Sequence, residues 1–512
     1  MGVRAPEDAP EVWSATPVGP SPASVVGLAI LAFVLLVCNV RPIGGGADVG
    51  VALAGKVLAS AASAAAAAVL FKAIGRAHPE GEARSAALLF AVGTGVWAAS
   101  QSLGPQPFGL LTVTIALLWL LKGGDDAAWA GRAGLPLGLA VAAWPANAAL
   151  AVVLAVAAAI RWPRQIPWLI AWGAPPVALR MVAQSSLPAA FTTGLDGLGA
   201  SVGVGHLGLL VSPAKGLLVF TPMALVGFAG VARVWRGGER WLAATLGGGV
   251  LAHVALVGST TAWYGDGWGP VTLTAALPLL FLVVPEGLGA LRAFGGLLAV
   301  LSVAVQLLGA FANDQRWERL YQRPARPGHP ELWDVARSPI PFYTLRRTLI
   351  LAVPTIRDGR LAVREHRIVV ASPGGSRFTF AGHDVVVRGA DATADDVALV
   401  GGARVESQRA VLSSPGDGLF LRVRPVARLR ALEVRIVGRG RGAVVVEESS
   451  FWSPAPRRKE YPVAGDFRVV HPYHFPESGG DDLLLTVGRG EVSLASVALV
   501  APSDPENPLQ IP

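Results

Sequence analysis

About eleven apolar segments fill the first three-fifths of this chain, and the loops joining them alternate in charge. Arginines crowd every second loop, and the others hold few basic residues. Such a pattern predicts a polytopic α-helical membrane protein of fixed orientation. The segments run over Ala23–Cys38, Val51–Ile74, Ser85–Ser100, Phe108–Leu121, Ala133–Trp144, Ala146–Ile160, Trp168–Ala183, Gly216–Val234, Trp241–Gly258, Val271–Val284 and Gly295–Ala312. Several fall short of the ~20 residues that cross a ~30 Å hydrocarbon core. That shortfall predicts tilted, broken or re-entrant pieces, above all around Pro145, Pro175 and Pro176.

With the N-terminus inside, the cytoplasmic loops hold Arg76, Arg84, Lys122, Arg132, Arg161, Arg164, Arg233, Arg236, Arg240 and Arg292, and the outer loops hold mainly Arg41 and Lys215. An odd number of spans then exports everything after Ala312. The expected location is the cytoplasmic (inner) membrane of a bacterium, with the bilayer itself as first partner. Residues 1–22 are acidic and proline-rich and lack the basic start of a cleavable signal, so they read as a disordered cytoplasmic tail before a retained first span.

With 512 residues, 52% hydrophobic and 15% charged, the chain is too apolar for an ordinary soluble protein and long enough for a membrane domain (23–312) plus a second domain. The net charge of +8 sits mostly in short loops beside apolar segments, so topology explains it and no nucleic-acid partner is implied. Cys38 is the one cysteine, which rules out an intramolecular disulfide or a cysteine-built metal site. Residues 313–364 turn polar, with Trp317, Tyr321, Trp333 and Phe342 among prolines and arginines, and read as a collar at the outer interface. Beyond them, short period-two runs such as Arg367–Ala371, Asp384–Arg388, Leu432–Val437, Ala443–Glu447, Leu483–Val487 and Val492–Val500 are separated by Gly, Asp, Ser and Pro. That spacing predicts an extracytoplasmic antiparallel β-sandwich over 365–512, of jelly-roll type.

Three loops expected on the outer face carry chemistry. The first, Asn39 to Asp48, joins a carboxylate to a glycine run: Asp48 suits a proton acceptor or the holder of a divalent cation, or it merely caps the next helix. The second, Ser259 to Pro270, packs Trp263, Tyr264 and Trp268 around Asp266. Aromatic faces beside a carboxylate suit a sugar ring, and interfacial anchoring is the plain alternative. In the third, Gln184 to Pro213, His206 lies in mid-loop, and Lys215 follows directly. Lys215, with Arg180 near the outer end of its span, offers a cation to a lipid phosphate or simply snorkels to headgroups. Lys56, early in the second span, reads as interfacial.

Taken in order, these pieces resemble the polyprenyl-phosphate-sugar-dependent glycosyltransferases of the GT-C superfamily. The resemblance lies in the Asn39–Asp48 loop, in Ser212–Pro222, in Trp263–Pro270 followed by Leu277 and Pro278, and in Trp333, Asp334, Ser338 and Pro339. It covers about residues 23–345. It implies transfer of a sugar from a lipid phosphate carrier to a glycan, glycolipid or envelope-protein acceptor, with Asp48 as general base. Arg41, Arg180 and Lys215 would then hold the donor phosphate, and Trp263, Tyr264, Asp266, Trp268 and His206 the sugar or acceptor. The chain departs from the family pattern at Val271 and Trp144, where arginines are usual, and in the Ser100–Pro107 loop, which lacks a Trp and a His. A catalytically inactive relative is therefore the alternative, an envelope scaffold whose sandwich binds glycan or protein through Trp452, Tyr461, Tyr473 or Phe475.

Overall fold

The computed structural model describes residues 20–37, 49–101, 104–183, 195, 198–199, 201–261, 263–265, 267–313, 317, 332–335 and 338–346. Beyond them it describes 348–357, 360–369, 378–380, 383–385, 397–400, 403–406, 409–415, 417–423, 432–450, 457–473 and 481–500. The described parts of Met1–Asn39, Ala54–Asn313 and Leu332–Pro341 form one compact unit; those of Val40–Leu53, Asp314–Glu331 and Phe342–Pro512 form another.

The first unit is helical: α1 (Pro22–Val37), α2 (Val49–Ile74) from Ala54 onward, α3 (Glu80–Val92), α4 (Gly95–Ala99), α5 (Pro105–Lys122), α6 (Ala128–Arg132), α7 (Gly134–Ala143) and α8 (Ala148–Arg161). Next come α9 (Ile166–Ala183), α10 (Val204–Val211), α11 (Leu217–Phe220), α12 (Ala224–Arg236), α13 (Arg240–Gly258), α14 (Leu277–Phe281), α15 (Val284–Ala290) and α16 (Arg292–Phe311). Among the described residues, five helices are long and apolar enough to cross a membrane, and up to six if the bent pair Val271–Phe281 and Val284–Ala290 counts as one.

Several segments that look continuous in sequence are broken, because polar side chains take up the backbone groups a break releases. Inside an apolar environment each such group must find a partner within the protein. Between α3 and α4, the Thr94 hydroxyl donates to the Phe90 carbonyl (2.7 Å) and accepts from the Val96 amide (3.2 Å). After α7 the chain extends at Trp144 and makes a single tight turn over Pro145–Asn147. There Asn147 donates to the Ala140 carbonyl (3.0 Å) and Arg180 to the Ala142 carbonyl (2.6 Å). Thr221 and Pro222 part α11 from α12; Gln306 donates to the Phe220 carbonyl (2.7 Å), and Ser302 accepts from the Met223 amide (2.9 Å). In the irregular stretch before α14, His253 donates from Nε2 to the Thr272 carbonyl (3.0 Å).

The break expected at Pro175 and Pro176 is absent, since α9 runs through both. These prolines withhold bonds only from Ala171 and Trp172. The adjoining turn is clamped to α7, where a methyl group at Gly138 would sit 2.2 Å from the Gly173 carbonyl oxygen.

The unit has two chemically distinct ends. At one, Arg76 grips both oxygens of Asp125 (2.8 and 2.9 Å), His78 bonds Glu286 (2.8 Å), and the Arg161 guanidinium lies 5.0 Å from the Trp241 ring. The loops that charge alternation assigns to one face thus meet. At the other, the Gly199 amide donates to the Ser259 carbonyl (2.8 Å), and Ser212 to that of Leu332 (2.6 Å).

The second unit holds α17 (Pro339–Arg346) from Phe342 onward, and the strands. β1 (Thr348–Arg357) and β2 (Arg360–Val369) form a hairpin within the expected collar. Two residues, Asp358 and Gly359, separate them, the sequence that favours a tight hairpin. Trp317, expected at an interface, is instead buried, and its amide donates to the Tyr343 hydroxyl (3.1 Å). β3 (Phe378–Phe380) pairs β4 (His383–Val385).

The remaining strands form one antiparallel seven-stranded sheet: β5 (Val397–Val400), β6 (Arg404–Glu406), β7 (Arg409–Leu412), β8 (Gly418–Val423), β9 (Leu432–Ser450), β10 (Arg457–Tyr473) and β11 (Asp481–Val500). Runs that the sequence reading separates at glycines are single long strands. Gly442 and Gly490 face each other across β9 and β11, and a Cβ at either would lie 1.9 to 2.0 Å from the partner strand's carbonyl oxygen. Glycine here kinks the strand instead of ending it. Both halves of the long strands then feed one core, with Val434 and Ile436 joining Val444, Val446, Leu483, Leu485, Val492 and Leu494. Burying each such side chain is worth roughly 1.5–3 kcal/mol.

His78 carries a pH prediction. Burial lowers its pKa, but the Glu286 hydrogen bond and the charges of Glu286 and Glu82 outweigh that and raise it above the ordinary 6.5. The pair's stabilisation is therefore full below that ordinary value and is lost as pH rises through the raised one. Thermal unfolding of the detergent-solubilised protein should show this component, and Glu286→Gln should remove it. Equal pH dependence in both proteins refutes the pairing.

Candidate functional site

Lys215 is fully buried, and its Nζ donates to the carbonyls of Gly267 (2.5 Å) and Gly265 (3.3 Å). The turn that aims it is built by Ser212, whose hydroxyl oxygen accepts from the amides of Ala214 and Lys215 (both 3.2 Å). The Gly216 amide closes the turn on the Ser212 carbonyl (2.7 Å). A side chain at 216 would press within 2.6 Å of that same backbone, so the Lys-Gly order is a steric requirement. On the receiving side, Gly265, Gly267 and Gly269 adopt φ of +57°, +111° and +67°, and the resulting loop presents two carbonyls to the ammonium. Hydrogen bonds to a charged group contribute about 1.5–3 kcal/mol each.

This loop is the one expected to face a sugar. Its tryptophans are both buried: Trp263 packs where a methyl group at Gly208 would lie 2.2 Å from its ring, and Trp268 stands edge-on to Phe220 at 5.1 Å. Tyr264 is half-buried, 5.6 Å from Trp263. His206 joins the same end as a staple. Its Nδ1 accepts from the Gly203 amide (3.1 Å), which leaves Nε2 as donor toward the Ala255 carbonyl (2.9 Å) and the Ser259 hydroxyl (3.2 Å). Arg180 sits elsewhere, on the Ala142 carbonyl at the end of α7. Arg41, Asp48 and Asp266 lie outside the described residues; position 266 falls between the two glycines whose carbonyls hold Lys215.

Lys56 departs from the sequence reading, because it is fully buried instead of interfacial. Its ammonium donates to Gln101 Oε1, and the Gln101 amide reaches the Trp97 carbonyl (3.2 Å) and the Leu36 carbonyl (3.5 Å) at the end of α1. The signal was present at helical spacing: Lys56, Ser60 and Ser63 form one polar stripe on a helix whose one other charge is Lys72 in the last turn, and all three are fully buried.

Among the described residues, Lys56 and Lys215 are the buried Lys or Arg side chains. In the sequence an acidic residue lies near each, Asp48 eight positions before Lys56 and Asp266 between Gly265 and Gly267. Ionisable groups at such depth are costly and mark ion or ligand chemistry in membrane proteins. Among the described residues there is no group of three or more His, Cys, Asp or Glu able to hold a metal ion. No known protein family matches the chain, and no curated protein matches it in sequence.

Replacing Lys215 by Met should release the 263–270 loop from its cradle. Hydrogen–deuterium exchange of that segment should quicken by roughly tenfold, the equivalent of about 1.4 kcal/mol, while α13 stays protected. Unchanged loop exchange would remove Lys215 as the organising group.

Proposed function

We propose that this chain is an integral membrane glycosyltransferase that transfers a sugar from a polyprenyl-phosphate donor to a cell-envelope glycan, glycolipid or protein acceptor on the extracytoplasmic face. The observation that carries the reading is the buried Lys215 ammonium inside the Gly265–Gly269 loop, at the end opposite the arginines. A fixed cation there suits the charge that builds on a departing lipid phosphate.

In this reading the short and broken helices combine with the long ones into about eleven spans, with the N-terminus cytoplasmic and the bent sheet closing as an exported jelly-roll-like sandwich. Asp48 takes the proton of the acceptor hydroxyl as its oxygen attacks the anomeric carbon. The bond to the phosphate oxygen breaks on the opposite face, with inversion. A positioned base supplies about 10²- to 10⁴-fold of the rate. Lys215 and Arg41 stabilise the phosphate, Tyr264 and Asp266 meet the sugar or acceptor, and Arg180 holds the broken α7 end in place.

A second reading, an inactive scaffold of an envelope complex, is favoured by the burial of Trp263 and Trp268, whose rings are spent on internal packing. The two separate in one assay. Membranes containing the full chain should move labelled sugar from a polyprenyl phosphate, and Asp48→Asn should cut transfer at least about 100-fold. Full activity in that variant would remove Asp48 from the mechanism. Absence of transfer with every donor, together with a stoichiometric partner on purification, would favour the scaffold.

A further inference from the structure

We propose that the arginine-rich end of the helical unit carries a binding site for an anionic phospholipid, its phosphate gathered by Lys122, Arg132 and Arg161 and its acyl chains lying along α9. The site is independent of the glycosyltransferase reading and lies at the opposite end from Lys215.

Two cation–aromatic clusters build it. Lys122 Nζ and the Arg132 guanidinium stand 4.4 and 5.0 Å from the Trp129 ring, and Trp119 packs on Trp129 at 5.5 Å. Arg161 lies 5.0 Å from Trp241 and 5.7 Å from Trp162, whose rings meet edge-to-face at 5.5 Å. The clusters adjoin, since a methyl group at Gly123 would lie 2.9 Å from the Trp162 ring. Trp241 is fixed by its indole hydrogen bond to the Ala157 carbonyl (3.1 Å).

At Lys122 and Arg132 the positive charge outweighs the negative. Asp125 is committed to Arg76, and Asp126 accepts from the Ala128 amide (3.0 Å). Among the described residues neither Lys122 nor Arg132 has an ion pair. Cations resting on indole faces keep N–H groups directed away from the ring, where an anionic oxygen can accept them.

A lipid is favoured over a free phosphate by what continues from the patch. Trp168 packs against Gly131, beside Arg132, and begins the apolar surface of α9. Leu169 is the one buried residue of that helix, while Trp168, Ile170, Leu179 and Val182 are 60 to 78% exposed. A headgroup clamp that opens onto an uncovered apolar helix has the shape of one phospholipid, with tryptophans at the headgroup level.

The test uses the full chain in detergent, titrated with phosphatidylglycerol, phosphatidylcholine of the same acyl chains, or glycerol phosphate, with bound lipid counted by native mass spectrometry. Phosphatidylglycerol should bind about tenfold tighter than phosphatidylcholine, and more weakly as salt is raised. Glycerol phosphate alone should not be retained. The double variant Lys122→Gln, Arg132→Gln should lose about tenfold for phosphatidylglycerol and nothing for phosphatidylcholine, whereas Lys122→Arg, Arg132→Lys should keep the preference. Equal binding of the two lipids, a neutralised variant that still discriminates, or retention of glycerol phosphate as tight as the lipid would each overturn the proposal.

Discussion

A backbone amide or carbonyl released in an apolar interior must be met by a side chain, and the helical unit is arranged around that requirement. Each principal break has its own partner. Thr94 closes the gap between α3 and α4, Asn147 and Arg180 serve the end of α7, and Ser302 and Gln306 reach from α16 to the Thr221–Pro222 break. Because the partners come largely from neighbouring helices, a break in one element fixes the position of another. Each such break keeps released backbone groups partnered inside the protein.

The same requirement occupies side chains that the sequence offers as ligand groups. Arg180 and His206, both attractive as ligand groups, are engaged with carbonyls and an amide of the fold. Lys215 is also held by backbone carbonyls, those of Gly265 and Gly267, but it brings a full charge to complete burial. Placing a cation at complete burial needs strong compensation, and in a chain this poor in charge such an expense is informative. Half-buried cations collect at the other end instead, on tryptophan rings, where headgroup chemistry suits them.

Charge alternation made the two ends legible from the sequence, because it records which loops stay on one face and needs no knowledge of contacts. Arg76, Lys122, Arg161 and Arg240 precede or follow helices whose ends do meet. Breaks were less legible. Pro145 ends a helix, but Pro175 and Pro176 do not, because their effect depends on whether a neighbour such as Gly138 clamps the turn. Glycines misled in the sheet for a related reason: Gly442 and Gly490 look like turn residues, and only the facing strand shows that they permit close approach within a continuous ladder. The Lys215 cradle could not be read at all, since Gly265 and Gly267 lie some fifty residues away and act through backbone carbonyls.

Sidedness is the most direct test of an outward-facing site. Single cysteines placed at positions 48, 266, 126 and 164 of a Cys38→Ser chain would be challenged in intact cells with a membrane-impermeant maleimide. An outward site predicts rapid labelling at 48 and 266, with 126 and 164 reacting only after the membrane is permeabilised. Labelling of 48 and 266 from opposite faces would contradict it.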